Sequence, residues 1–175
     1  MKGLRDGKGI EYYKNDIIKY EGDFIKDKYE GNGKYINENG ESYIGLFLNG
    51  LKHGKGIEFY KNGEVKYDGN FVKDKYEGLG KKIKENGKIY IGYFSNGLRH
   101  GKGTYKYPNN SLIYEGDFIE DKYEGKGIYI WKNGIKYIGQ FFNGFMRGKG
   151  IEYYKNGSVR YQGDFVKNKY EGIGK

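Results

Sequence analysis

A tyrosine returns every 23 or 24 residues along the chain, at Tyr20, Tyr43, Tyr67, Tyr90, Tyr114, Tyr137 and Tyr161. Each opens the pattern Tyr-x-Gly-x-Phe, as in Tyr20-Glu21-Gly22-Asp23-Phe24. A short fixed period marks a repeat architecture, in which one unit cannot bury its apolar face alone and stacks on its neighbours. With the tyrosine as position zero, positions 0, 2 and 4 alternate and so share one face of a strand. Glycine weakens a strand interior unless something must approach the backbone closely. The expected neighbour is an aromatic ring lying across the bare glycine.

Two further elements recur. Positions 19 and 20 are Asn39-Gly40, Asn62-Gly63, Asn86-Gly87, Asn133-Gly134 and Asn156-Gly157, with Asn15-Asp16 and Asn109-Asn110 in the same place. Asn-Gly between strand-like segments predicts a two-residue hairpin turn, because both residues accept positive φ. Positions 11 and 13 form Gly-x-Gly, from Gly31/Gly33 to Gly172/Gly174. This is no phosphate loop, because the Lys-Ser/Thr that should follow is absent. It is expected to reverse the chain between hairpins. The predicted fold is all-β: an elongated twisted ribbon of about seven stacked antiparallel β-hairpins.

The motifs together resemble the MORN (membrane occupation and recognition nexus) repeat, most closely over Gly101-Lys102-Gly103-Thr104-Tyr105-Lys106-Tyr107-Pro108-Asn109. The resemblance covers essentially the whole chain. It implies a non-enzymatic scaffold or adaptor, in a family associated with membranes, cytoskeleton, cilia and junctions, some of whose arrays dimerise. A single array is expected over residues 1–175, with repeats starting near 20, 43, 67, 90, 114, 137 and 161 and partial repeats at both ends.

Composition agrees with an aromatic, glycine-punctuated array. Ile, Leu, Val and Phe make up only about 22% of the chain, near the level at which chains stay disordered, but 21 tyrosines add rings to bury. Tyrosine is expected to bury its ring and keep its hydroxyl wet. The absence of cysteine excludes disulfides, thiolate metal sites and thiol nucleophiles. No apolar run reaches the ~20 residues of a membrane span, and the first ten residues have no signal-peptide core. A cytoplasmic chain, at the cytoskeleton or the cytoplasmic face of a membrane, is the expectation. The net charge is +9, and its lysines are scattered beside Glu and Asp. A solvated surface explains them; an anionic phospholipid surface is the alternative partner.

The 23 and 24 steps alternate, so a second period of 47 runs through the first. One class reads Asp-Lys-Tyr-Glu-Gly after the phenylalanine (Asp27–Gly31, Asp74–Gly78, Asp121–Gly125). The other reads Asn-Gly-Leu-x-His-Gly (Asn49–Gly54, Asn96–Gly101), from which Asn143–Gly148 departs. The extra residue of the longer step is expected to form a β-bulge or a longer loop. On the face opposite the tyrosines the first class places acids and amides, and the second places Ile44, Ile91 and Ile138. These isoleucines either cover the adjacent hairpin or form an interrupted apolar ridge.

No catalytic constellation emerges. His53 and His100 stand one double period apart, roughly 19 Å by strand spacing, too far to share a metal. Glu30, Glu77, Glu124 and Glu171 repeat at one position, whereas acid–base catalysis needs an unequal pair. Trp131 takes a position held by Tyr60, Tyr107 and Tyr154, which reads as packing. Lys-Tyr interleaving could serve single-stranded nucleic acid, but those rings are the ones the ladder needs. The expectation is therefore no enzyme, no cofactor and no metal, with another protein or a second copy as partner. The candidate binding residues are the loop tyrosines Tyr29, Tyr76, Tyr123 and Tyr170, and Ile44, Ile91 and Ile138.

Overall fold

The computed structural model describes residues 3–175. No described residue is helical, and fifteen strands follow one another in two compact units, residues 1–83 and 84–175. The first holds β1 (Gly7–Tyr12), β2 (Ile18–Ile25), β3 (Lys28–Ile36), β4 (Ser42–Leu48), β5 (Leu51–Phe59), β6 (Val65–Val72) and β7 (Lys75–Ile83). The second holds β8 (Ile89–Ser95), β9 (Leu98–Lys106), β10 (Leu112–Ile119), β11 (Lys122–Ile130), β12 (Lys136–Phe142), β13 (Phe145–Tyr153), β14 (Val159–Val166) and β15 (Lys169–Glu171). Within each unit every strand pairs antiparallel with the one before and the one after it. The all-β hairpin array expected from the period is the fold observed.

The tyrosine and phenylalanine of every repeat are buried on one face, and the tyrosine ring lies on two glycines. A Cβ added at Gly33 would stand 2.5 Å from the Tyr20 ring, and one at Gly22 would stand 2.5 Å from its hydroxyl. Gly22 and Gly33 face each other across β2 and β3, so both must lack a side chain for the ring to lie flat. The same contact recurs in each hairpin. Tyrosine and phenylalanine then meet edge to face, with Tyr20–Phe24 centroids 5.1 Å apart and Tyr43–Phe71 4.9 Å apart, the geometry that aromatic quadrupoles favour.

The hydroxyl is not wet. In all seven repeats it donates to the backbone carbonyl three residues on, from Tyr20 to Asp23 at 3.0 Å through Tyr161 to Asp164 at 3.1 Å. The pairing explains why that carbonyl is free. After Gly22↔Gly33 the register jumps to Asp23↔Glu30, so Gly31 and Asn32 leave the β2 ladder while still pairing with β4. Gly31 has φ +61, which suits glycine at a bulge. The Gly-x-Gly pair therefore sits inside a strand, and the expected chain reversal there is corrected. Sequence spacing could not separate the two, because glycine serves both a turn and a close approach.

Chain reversals come in two kinds. At Asn39-Gly40 the Gly40 N–H donates to Asn37 O at 2.9 Å and Asn37 N–H donates to Glu41 O at 2.9 Å, with only Gly40 at positive φ. That is a three-residue loop closed by a left-handed glycine, in place of the expected two-residue turn. Two-residue turns with both residues at positive φ do occur, at Asn49-Gly50, Asn96-Gly97, Asn143-Gly144 and, against the usual residue preference, Lys26-Asp27, Lys73-Asp74, Glu120-Asp121 and Lys167-Asn168. The extra residue of the 24-residue step is a β-bulge, as expected. Lys19, Lys66, Ile113 and Arg160 are each skipped in the pairing with the preceding strand.

Candidate interaction surfaces

Asp at the second position of these turns explains how they hold. Asp27 Oδ1 accepts the Arg5 N–H at 2.9 Å, and the Asp27 N–H donates to Arg5 O at 3.1 Å. The same reciprocal pair joins Lys52 to Asp74 and Arg99 to Asp121. It also joins Met146 to Asn168. Where the partner residue is cationic the turn residue is Asp; where it is Met the turn residue is Asn. In the other class the Asn49 N–H donates to Glu30 Oε2 at 2.8 Å and the Asn143 N–H to Glu124 Oε2 at 2.9 Å. Glu30 and Glu124 are thus turn-holding residues, and their repetition has a structural cause.

The expected loop tyrosines are not in loops. Tyr29, Tyr76, Tyr123 and Tyr170 lie in strands. Each ring stacks on a core tyrosine: Tyr29 on Tyr20 and Tyr76 on Tyr67 at 3.8 Å, Tyr123 on Tyr114 at 3.9 Å, Tyr170 on Tyr161 at 4.0 Å. Tyr170 alone is largely exposed. Their hydroxyls reach carboxylates: Tyr29 donates to Glu11 at 3.2 Å, Tyr76 to Glu58 at 2.6 Å, and Tyr170 to Glu152 at 3.0 Å. Burial pushes the Tyr76 hydroxyl far above its ordinary pKa, helped by Glu58; burial also pushes Tyr20 and Tyr137 up to about 12.

These contacts belong to a polar network on the tyrosine face that repeats every 47 residues. In the first unit Glu11 pairs with Arg5 at 2.6 Å and Lys19 at 2.8 Å. Glu58 pairs with Lys52, and Glu41 with Lys66 at 2.7 Å. Partial burial works to raise the Glu11 carboxyl, but hydrogen bonds from Lys19 and Arg5 outweigh it and hold the group below its usual range. Lys66 lowers Glu41 in the same way. In the second unit the equivalent of Glu58 is Tyr105 and the equivalent of Lys66 is Ile113, both buried. The equivalents of Asn37 and Glu41 are Lys84 and Lys88. The ion pair returns one double repeat later as Arg160–Glu152 at 2.7 Å, with Glu152 buried.

Ile44, Ile91 and Ile138 lie on the opposite face, exposed by 48%, 45% and 37%. Ile44 faces Lys34 and Ile57 across its two neighbouring strands, and Ile91 faces Thr104. Ile138 stands between Ile128 and Ile151, an apolar triad. Leu46 lies over Gly54 and Tyr93 over Gly101, so position 3 covers the bulge glycine locally. Exposed apolar side chains also flank the Asn-Gly turns: Leu48 and Leu51, and Phe142 and Phe145. The structure therefore does not bring the seven candidates together. Within each unit the tyrosines among them belong to one face and the isoleucines to the other. Trp131 packs edge-on against Tyr129 at 4.8 Å, consistent with a packing role. No cluster of His, Asp and Glu that could hold a metal ion occurs among the described residues.

Comparison with known families assigns these repeats. The MORN repeat model matches eight times, over residues 1–16, 20–42, 43–65, 67–89, 90–112, 114–136, 137–159 and 161–175. The matches follow the tyrosine period and cover nearly the whole chain. No curated protein matches it. On its repeat, its hairpins and its tyrosine-on-glycine packing, this chain belongs to the MORN repeat family.

Proposed function

We propose that the chain is a non-enzymatic scaffold or adaptor that binds another protein, or a second copy of itself, through its strand surfaces. MORN repeats are generally associated with protein and membrane interactions. The observation that carries the reading is the face opposite the tyrosines. In the first unit that face exposes Ile44, and in the second it exposes Ile91 and Ile138; apolar side chains left in solvent at one repeated position mark an interaction surface. An extended segment or an amphipathic helix is the kind of partner such a surface takes. Its place is the cytoplasm, at cytoskeleton or membrane.

The test is the triple variant Ile44→Ser, Ile91→Ser, Ile138→Ser. Unchanged circular dichroism and melting, with loss of self-association by light scattering or of a captured partner, is the expected result. Unfolding of the variant would show instead that the isoleucines only cover their neighbours. A second reading is peripheral binding to anionic phospholipid, favoured by the lysine excess. It requires binding to phosphatidylserine or phosphoinositide vesicles that weakens steeply with salt, and no binding at low salt would remove it.

A further inference from the structure

The positive charge is unevenly divided. Residues 1–83 hold sixteen Lys and Arg against fourteen Asp and Glu, while residues 84–175 hold sixteen against nine, so the second unit carries +7 of the net +9. On its tyrosine face the excess has a definite place. Lys84 and Lys88 stand where the first unit has Asn37 and Glu41. Lys84 Nζ lies 5.6 Å from the Tyr105 ring centre, and Lys88 Nζ lies 6.0 Å from Tyr105 and 5.7 Å from Tyr107. Among the described residues neither lysine has an ion-pair partner, whereas Glu11, Glu41, Glu58 and Glu152 hold the cations at the other network positions. Tyr129 and Trp131 stand on the same face one hairpin further on. The nearest carboxylate in sequence, Glu85, is exposed in the turn between the two lysines. Arg99 is already committed to Asp121 at 2.7 Å.

We propose that this patch on the tyrosine face of the second unit binds an acidic, extended segment of a partner protein. The inference adds a second surface to the adaptor reading and does not depend on the isoleucine face. The ligand chemistry follows from what is free. The two ammonium groups offer unpaired donors to carboxylates. Tyr105 is buried and Lys88 stands 5.7 Å from the Tyr107 ring centre, so these rings offer bases no pair of open faces to stack on, as binding single-stranded nucleic acid would require. An extended chain can place carboxylates on both lysines while its apolar side chains rest against Tyr129 and Trp131.

Trp131 is the only tryptophan in the chain, so its emission reports on the patch directly. The whole chain is titrated at low salt with a fluorescein-labelled oligo-glutamate peptide, following peptide anisotropy and Trp131 emission. Both should change together. The double variant Lys84→Glu, Lys88→Glu should weaken binding about tenfold, and Lys84→Ala, Lys88→Ala by a smaller factor. The exposed loop lysines of the first unit, changed as Lys14→Glu, Lys61→Glu, should leave it within about twofold. Circular dichroism checks that each variant folds, and the alanine pair stands in if the charge reversal does not. Unmoved Trp131 emission, or equal weakening by the first-unit pair, would overturn the proposal. So would tighter binding of oligothymidylate or phosphatidylserine vesicles than of the peptide. The isoleucine triple variant should bind oligo-glutamate normally, so failure of either surface can be told from failure of the other.

Discussion

The two units share one backbone plan and fill one slot of it in opposite ways. In the first, the positions beside the stacked tyrosines hold Glu11 with Lys19, then Glu58 with Lys66 close by. In the second, the first such slot holds Tyr105 with Ile113, and the next returns to Glu152 with Arg160. Replacing a partly buried ion pair by apolar residues of similar volume is often neutral for stability, while breaking one half is costly. The comparison teaches that the two positions act as a unit. Either both are charged or both are apolar, and the bulge residue is the half that changes with its partner across the strand.

The largest effect should be common to both units. The ordinary tyrosine pKa is about 10, and burial raises Tyr20 and Tyr137 to about 12. A group whose folded pKa is raised lends its stability below the unfolded value and loses it as pH rises through the folded one. Cooperative unfolding is therefore expected between pH ~10 and ~12, read by far-ultraviolet circular dichroism together with tyrosinate absorbance. Tyrosinate appearing well before any loss of strand signal would mean that the core hydroxyls are not bonded as described.

Tyr20→Ala and Tyr114→Ala come next. Both rings are fully buried, and each change should cost about 3–5 kcal/mol in denaturant unfolding. A clear inequality would break the premise that the two units repeat the same core packing. The paired slot gives a sharper contrast. Ile113→Lys alone buries an ammonium beside Tyr105, where Lys84 and Lys88 already stand, and should cost about 2–4 kcal/mol; adding Tyr105→Glu should restore most of it. A double-mutant cycle with no coupling would sink the idea of a two-residue unit.

The smallest effect is on the acid side and should fall on the first unit. Glu11 and Glu41 have lowered pKa values, the first because Lys19 and Arg5 outweigh its burial and the second because of Lys66. Their contribution is present above the ordinary carboxylate value and is lost as pH falls through the folded one. Each pair is partly exposed, so under ~1 kcal/mol apiece is expected. Native-state hydrogen exchange below pH ~4 should show β1 to β6 loosening before β9 to β11; the reverse order would contradict the charge assignment.

Much of this fold was legible because its signals are steric. Tyr-x-Gly-x-Phe can place its rings on one face only if it is a strand, and the bare glycine announces the ring that covers it. The alternation of 23 and 24 announced a bulge, found at Lys19, Lys66, Ile113 and Arg160. The Lys26-Asp27 type of turn was not legible. Lysine at positive φ reads as unfavourable until Asp27 is seen held by Arg5, 22 residues away. Nor could the sequence place Tyr29 and its equivalents, since a tyrosine just after a turn reads the same whether it waves in solvent or stacks at 3.8 Å on Tyr20. The lysine patch was hidden for a different reason. Lys84 and Lys88 stand out only when set beside their counterparts Asn37 and Glu41, and the lysines look evenly spread until that alignment is made.

Each buried tyrosine covers glycines of its own hairpin and bonds a carbonyl of its own strand. A hairpin therefore brings along its own lid, whatever its neighbours are. The alternation of bulged and unbulged repeats makes the smallest interchangeable block a pair of hairpins. Gene duplication or deletion in steps of that size would preserve every register. Arrays of this kind can therefore grow, shrink and diverge in surface chemistry by copying alone, with no new core to invent.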